Sequence, residues 1–360
     1  MFKVADYMIQ SQAPDQVPSS QRAQLVPLDT RGGGAAAMSA VVLMTALARI
    51  LSSRLTGKLV GVHVNMAERL SMYRKCVVVL AARALGVPVV LHLHAAQLHH
   101  TFKTLPALVQ AFVRKTFSSA TQVVVLGRAS QEFVTHTLKV PADRVEIINN
   151  GVPASTIERK PLSASGERRR IFFLGNLSER KGVTDLLEAL ARSQLAKAGK
   201  VDAVFAGGGD VDAYTAKAKA LGVDGFTRFI GWANQQQAAE WMASSDALAL
   251  PSYDEGLPLV ILEALGHGVA VICTPVGEIP HNLHDGQDAH FVEPGNVAQL
   301  AEAIDRVLGD DIYRHKLEAG GLALFNSGFS LDHYADSMAR VHLQCFGAAA
   351  RPVQSGAQAS

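Results

Sequence analysis

Cysteine is scarce in this chain. Its three copies, Cys76, Cys273 and Cys345, sit in apolar or helical contexts without paired spacing. That excludes a disulfide framework and a cysteine-based zinc site, and it fits a reducing compartment. Long apolar runs are missing too: the longest, Cys76 to Leu91, is interrupted by Arg83, Gly86 and Pro88, so no membrane span is expected. Met1 to Gln16 lacks the basic flank and continuous apolar core of a secretory signal, which makes a cytoplasmic protein the expectation. His92, His94, His99 and His100 have neither helical HxxxH spacing nor a cysteine partner, so no metal is expected. No GxGxxG follows a first strand, which disfavours a dehydrogenase.

With 360 residues, 48% of them hydrophobic, the chain is long enough for two domains with a core each. The net charge of +2 conceals an asymmetry: residues 1–150 hold 16 Lys and Arg against 7 Asp and Glu, and the remainder 18 against 25. A basic first half points to an anionic partner there, a membrane surface or a phosphorylated acceptor, and not to a nucleic-acid-binding protein.

Apolar periodicity and turn residues give an alternating strand and helix pattern. A loop over residues 10–34 holds one short strand at Gln24–Leu28, and a helix covers Ser39–Leu51. Strands at Leu59–Val64 and Pro88–Leu93 flank a helix at Ser71–Leu85. Helix Thr101–Ser118, strand Gln122–Leu126, helix Ser130–Leu138 and strand Val145–Asn149 complete a first sheet. His63 and His94 fall at strand carboxyl ends, where open parallel sheets take their ligands. Residues 152–169, rich in Pro and Ser, read as a linker. From Arg170 the pattern restarts, with strands near 171–174, 203–206, 226–230, 247–250 and 269–273 and helices at Val183–Leu190, Val211–Leu221 and Gln235–Ala243 between them. Helices near 297–308, 313–319 and 332–345 follow, and residues 347–360 are expected to be disordered.

The chemistry concentrates in Pro251 to Pro275, PSYDEGLPLVILEALGHGVAVICTP, which reads as acidic loop, a helix that begins near Pro258 and runs Leu259–His267, and strand. Glu255 lies before the helix and Glu263 inside it, roughly 7.5 Å further along the axis. The amides of Gly256, Leu257 and Leu259 form a positive helix end suited to phosphate. A nucleotide sugar has that layout: sugar at Glu255, pyrophosphate at the helix end, ribose diol at Glu263. Elsewhere, Arg69, Arg74 and Lys75 stand at a helix amino end, where positive charge opposes the helix dipole. Their placement points to function, as a site for the phosphates of a lipid-linked acceptor or for an anionic bilayer.

The Glu-x7-Glu spacing in EGLPLVILEA is joined, in order, by HLHAA near residue 94, INNGV near 150, FLGNLSERKG near 175, AGGG near 207 and FIGW near 230. Together they resemble the retaining, metal-independent glycosyltransferases of family four (group 1), of bacterial exopolysaccharide type. The resemblance implies an α/β chain of two facing Rossmann-like domains, the GT-B fold. Residues 1–151 become an acceptor-side domain, 152–169 a linker, 170–330 the nucleotide-sugar domain, and 331–346 a helix returning to the first domain. It implies that His94 and Glu255 are catalytic, with an imidazole or carbonyl at His94 stabilising positive charge on the donor sugar. Donor binding falls to Gly175, Asn176, Lys181, Gly207, Gly208, Ile230, Trp232, Gly256, Leu257, Leu259 and Glu263; for Trp232 a core or hinge role is the alternative. Asn176 stands where the family has Arg, Ala95 where it has Gly, and Gly277-Glu278 with His281 where it has Gly-Gly and Glu. The family also opens with a buried strand and a Gly-Gly turn leading into a helix. Here Met1–Gln12 reads as that helix, so the first domain is expected to lack its first strand, with either the native start upstream or this form impaired.

The expected activity is hexosyl transfer, with retention, from a UDP- or GDP-sugar to a saccharide acceptor carried on polyprenyl diphosphate. It needs no metal or cofactor and belongs to polysaccharide biosynthesis, on the cytoplasmic side of the plasma membrane. Two other readings stay open: a nucleotide-sugar epimerase or phosphorylase on the same fold, and a non-catalytic partner in a polysaccharide-assembly complex.

Overall fold

The computed structural model describes residues 22–32, 36–67, 70–94, 98–165 and 168–351. The chain divides into two compact units, residues 1–151 with 331–360, and residues 152–330.

In the first unit, β1 (Arg22–Gln24) pairs in parallel with a strand at Ala349–Arg351. The short amino-terminal strand thus lies earlier than Gln24–Leu28, and residues 349–351 are strand where a disordered tail was expected. Helix α1 (Ala36–Leu55) follows, then β2 (Val62–Met66), α2 (Leu70–Ala84), β3 (Val89–Leu93), α3 (Ala107–Ser119), β4 (Gln122–Val125) and β5 (Val145–Ile147). Among the described residues these strands form a parallel sheet in the order β2-β3-β4-β5. The helix expected from Thr101 to Ser118 is broken at Pro106, which lacks a donor and forces Leu105 into an extended conformation (ψ 147°).

Strand alternation sends Val64, Met66, Leu91, Leu93, Val123 and Val125 into one core with Met72, Cys76 and Val79 of α2. The opposite face presents Val90, Val124 and Ile148 to Tyr334, Met338 and Val341 of the last helix, Leu331–Phe346. The Met1–Gln12 helix lies outside the described residues. A turn at a glycine does, however, occur ahead of a long helix in the chain. Asp29 accepts hydrogen bonds from the amides of Arg31 (2.7 Å) and Gly32 (2.9 Å), and Gly32, at φ +70°, stands ahead of α1 in the chain, where an added Cβ would lie 2.9 Å from Val42. Helix α1 buries Ala46 and Ile50 but exposes Met38, Val41, Met44, Leu51 and Leu55. Its segment Met38–Leu55 is long and apolar enough, by length and composition, to cross a membrane. Mixed Ser, Thr and Arg residues hid it from a search for uninterrupted apolar runs.

The second unit runs β6 (Arg169–Leu174), α4 (Val183–Arg192), β7 (Val201–Ala206), α5 (Val211–Ala220), β8 (Thr227–Gly231), α6 (Gln235–Ala243), β9 (Ala247–Leu250), α7 (Leu259–Gly266), β10 (Ala270–Cys273), β11 (His290–Phe291), α8 (Val297–Gly309) and α9 (Asp311–Gly328). Its parallel sheet has the order β11-β10-β9-β6-β7-β8. Strands β7, β9 and β10 are buried along their whole length, as in a sheet covered on both faces. Residues 152–165 are not a free linker. Val152 N–H donates to Phe329 O (3.0 Å), Lys160 N–H to Ala243 O (2.9 Å), and Arg159 pairs with Glu318 (2.7 Å), all within this unit.

Candidate active site

The strand order of the second sheet makes one of its ends a ligand site. From β6 in the middle, the chain lays β7 and β8 to one side, then returns to place β9 and β10 on the other. Connections leaving β6 and β9 therefore diverge, and a crevice opens beyond their carboxyl ends. Two loops meet there, 175–182 after β6 and 251–258 after β9.

Glycines bring these loops together. Gly182 has φ +67°, and a Cβ on it would lie 2.1 Å from Pro251 O. Gly277 has φ +60°, and its Cβ would lie 1.9 Å from Glu255 O. Glu278 N–H donates to Gly256 O at 3.1 Å. The Arg180 guanidinium donates to Asp254 O (2.6 Å) and its backbone carbonyl accepts from Tyr253 N–H (2.9 Å), so both ends of this residue are tied to the 251–258 loop. Gly277→Ala combines a strained φ with a collision against backbone, and is expected to cost about 1–3 kcal/mol and to displace Glu255. A urea melt and a donor-binding isotherm on this variant check both parts.

This stitching places Lys181 Nζ against Glu255 Oε1 in an ion pair. The two side chains are 13% and 8% exposed, so solvent screens the pair weakly. The sequence reading gave Lys181 to the donor phosphates and Glu255 to the sugar as separate contacts; in the fold they touch. An ammonium has three donors and a carboxylate about four acceptor sites, so each retains capacity for a further partner.

The remaining donor residues line the same end of the sheet. Gly175 N–H donates to Ala206 O (2.9 Å), Leu177 N–H to Gly208 O (2.7 Å) and Gly207 N–H to Gly231 O (2.8 Å). A Cβ on Gly207 would lie 1.8 Å from Gly175 O, so the AGGG turn brings three strand ends into backbone contact. Asn176 is exposed beside Gly208. Pro258 is the cap of α7 and not its first helical residue, with ψ 127°; the helix begins at Leu259, because the residue holds an extended backbone. Gly256, Leu259 and Glu263 are half-buried and Leu257 is buried. Ile230 is half-buried, and Trp232 is 82% exposed, which removes the core reading for that ring. A cavity of about 470 Å³ lies at the opposite, amino-terminal edge of this sheet. There Asp202 accepts from Arg170 (2.6 Å) and Arg228 (2.8 Å).

In the first unit, His94 sits just past the carboxyl end of β3. Its N–H donates to Met66 O (2.8 Å), its ring lies 3.9 Å from that of His92, and its Nε2 is 3.1 Å from Asn65 Oδ1. His63 Nδ1 is 2.9 Å from His342 Nε2. Burial lowers His94 to about 3 and His342 to about 4. Burial, followed by the neighbouring imidazoles, takes His63 and His92 well below 6.5. All four rings are neutral at neutral pH. Sequence reasoning missed this layer because it weighed the histidines one at a time; their alternate spacing, His63 with Asn65 and His92 with His94, was the available signal. Arg69 lies outside the described residues. Arg74 and Lys75 are half-buried, with Tyr73 and Val77 exposed beside them, and burial, then Arg74, lowers Lys75 below an ordinary lysine. The basic pair is therefore no open solvated patch.

The architecture has known counterparts. HepE of Anabaena, solved with UDP-glucose, superposes with a TM-score of 0.70 at 18% identity, covering 89% of this chain and 86% of that one. By sequence, an uncharacterised glycosyltransferase of Methanocaldococcus jannaschii is 25% identical over 233 residues, 61% of this chain and 59% of the relative. A lipopolysaccharide core biosynthesis glycosyltransferase of Rhizobium meliloti is 28% identical over 181 residues, 50% of this chain and 52% of the relative. The chain spans about half the length of the curated relatives it matches. Residues 9–151 match the glycosyl transferase 4-like domain and residues 154–322 match glycosyl transferases group 1. The second unit thus carries a glycosyl transferases group 1 domain and the first a glycosyl transferase 4-like domain.

Proposed function

We propose that the protein transfers a hexosyl group from a UDP- or GDP-sugar to a saccharide acceptor, with retention and without a metal. The observation that carries this reading is the Lys181–Glu255 pair at the switch point of the second sheet, beside the amino end of α7. A donor diphosphate at that helix end finds backbone amides and the two remaining ammonium donors of Lys181. Its sugar then lies by Glu255, and the ribose diol reaches Glu263. The solved relative bound to UDP-glucose supports a uridine donor. As the bond from C1 to the diphosphate breaks, the ring gains positive charge, which the neutral imidazole of His94 stabilises. The acceptor oxygen bonds C1 on the same face and its proton passes to the departing phosphate oxygen.

A thermal-shift panel of UDP- and GDP-sugars tests the donor. Saturation at about 100 times Kd adds about 2.7 kcal/mol, and no shift with any nucleotide sugar would sink the reading. Glu263→Ala is expected to weaken donor binding, whereas His94→Ala lowers turnover in a protein that still folds.

The acceptor is proposed to be lipid-linked and the enzyme to work at an anionic membrane face on the cytoplasmic side. Support comes from the exposed apolar stripe of α1 and the nearby Arg49, Arg54 and Lys58, all exposed. Helices of this kind bind interfaces through apolar area and cationic flanks. Arg74→Ser with Lys75→Ser is expected to weaken binding to anionic liposomes by about 1 kcal/mol per residue while donor hydrolysis barely changes. Sedimentation across a salt series reads this, and unaltered binding removes these two residues from the interface.

A further inference from the structure

We propose that Asn65 is a positioning residue for His94, holding its imidazole as the Nε2–H tautomer and so leaving Nδ1 as the electron-rich edge of the ring. The functional part of this inference rests on the reading of His94 as a group that touches the donor sugar. Asn65 lies on β2 in register with His92 on β3, and its side chain shares the sheet face of His63, opposite Val64 and Met66. Its Oδ1 is 3.1 Å from His94 Nε2. An amide oxygen only accepts, so Nε2 carries the proton and donates.

Other contacts leave the ring little choice but its tautomer. The backbone of His94 is tied to Met66 O, and its ring lies against His92 at 3.9 Å, tilted by 38°. His92 is itself fully buried, with no hydrogen-bond partner for either ring nitrogen among the described residues, and it makes no hydrogen bond to His94. Burial keeps His94 neutral. In a neutral imidazole one nitrogen is protonated and the other bears the lone pair, and the bond made by the first decides which. A lone pair at Nδ1 is the negative end of the ring dipole, the end that stabilises a sugar ring gaining positive charge.

The test uses full-length protein labelled with 15N-histidine, with the His94 signals identified by their loss in His94→Ala. Long-range 15N–1H spectra between pH 6 and 8 are expected to show His94 in the Nε2–H form alone. A wild-type Nδ1–H pattern overturns the inference, whether or not any variant folds. Asn65→Leu removes the acceptor and is expected to mix the tautomers and lower kcat by at least about tenfold, with the donor KM within about twofold. Asn65→Asp keeps an acceptor and is expected to restore the Nε2–H form, while moving the acid limb of the pH profile upward. An unchanged tautomer in Asn65→Leu, or a mixed tautomer with unchanged kcat, overturns the positioning role. Normal turnover in His94→Ala is the separate result that removes the parent reading and leaves the tautomer assignment standing.

Discussion

Lys181→Met is expected to abolish transfer and to destabilise the second unit by about 3–5 kcal/mol, because it strands a buried carboxylate. Glu255 is only 8% exposed, so without its cation it must take up a proton or pull in water. Glu255→Gln should be milder for folding, since Lys181 then meets an amide oxygen that still accepts. For turnover it should be as severe, with a loss of roughly a hundredfold or more, as for other groups that stabilise charge in the transition state. The double variant Lys181→Met with Glu255→Leu discriminates stability from chemistry. Removing both charges replaces the pair by apolar contact, so stability should recover towards wild type while turnover stays lost. Urea unfolding of the three variants alongside steady-state transfer gives the comparison. A Lys181→Met protein as stable as wild type, or one that turns over normally, would falsify the role given to this pair.

The second large effect is acid sensitivity concentrated in the first unit, where four depressed imidazoles cluster, against His267 and His290, also lowered by burial, in the second. His63, His92, His94 and His342 all have folded-state pKa values below the ordinary 6.5, burial being the leading cause in each. Once unfolded, each takes up a proton as the pH falls through about 6.5; folded, each resists until much lower pH. Their stabilising contribution is therefore complete above 6.5 and is lost as pH falls towards the depressed values, with each histidine contributing a slope of about 1.4 kcal/mol per pH unit. Between pH 6.5 and 5 most carboxylates stay ionised, so this window isolates the imidazoles. Both tryptophans, Trp232 and Trp241, lie in the second unit, so tryptophan fluorescence reports that unit while amide exchange in β2 and β3 reports the first. Protection in β2 and β3 should collapse between pH 6.5 and 5 with little change in fluorescence. His63→Leu with His342→Leu should flatten the slope. Protection that does not depend on pH across this window would remove the histidine layer as its cause.

Much of the second unit was legible from residue order. Helix α6 and strand β9 fall at the residues read from the sequence, Gln235–Ala243 and Ala247–Leu250, because an Asn234 capping box and a wholly apolar run are local signals. Helix α7 begins at Leu259 as read from the sequence and ends at Gly266, one residue short of the expected His267; proline's fixed φ suits both a cap and a first helical residue, and only ψ makes Pro258 the cap. The first unit was harder. Its glycine turn at Gly32 was read as part of a long polar loop. Pro106 split a helix that periodicity alone would have continued.

By itself the sequence determined the alternating strand and helix order, the presence of two such units, and the loop that carries Glu255 before a helix end. These follow from short-range physics: apolar period, caps, turns and the covalent spacing of Glu255 and Glu263. Only the tertiary structure decided which distant groups meet. Lys181 and Glu255 are 74 residues apart in the chain, as are the donor and acceptor of the Arg180–Asp254 bond, and both contacts exist because β6 and β9 become neighbours at the switch point. His63 and His342 are separated by 279 residues and touch because the last helix packs on the sheet face that carries the imidazoles. Strand order and helix docking set these encounters through the burial of whole faces, a cooperative choice that no local window of sequence contains.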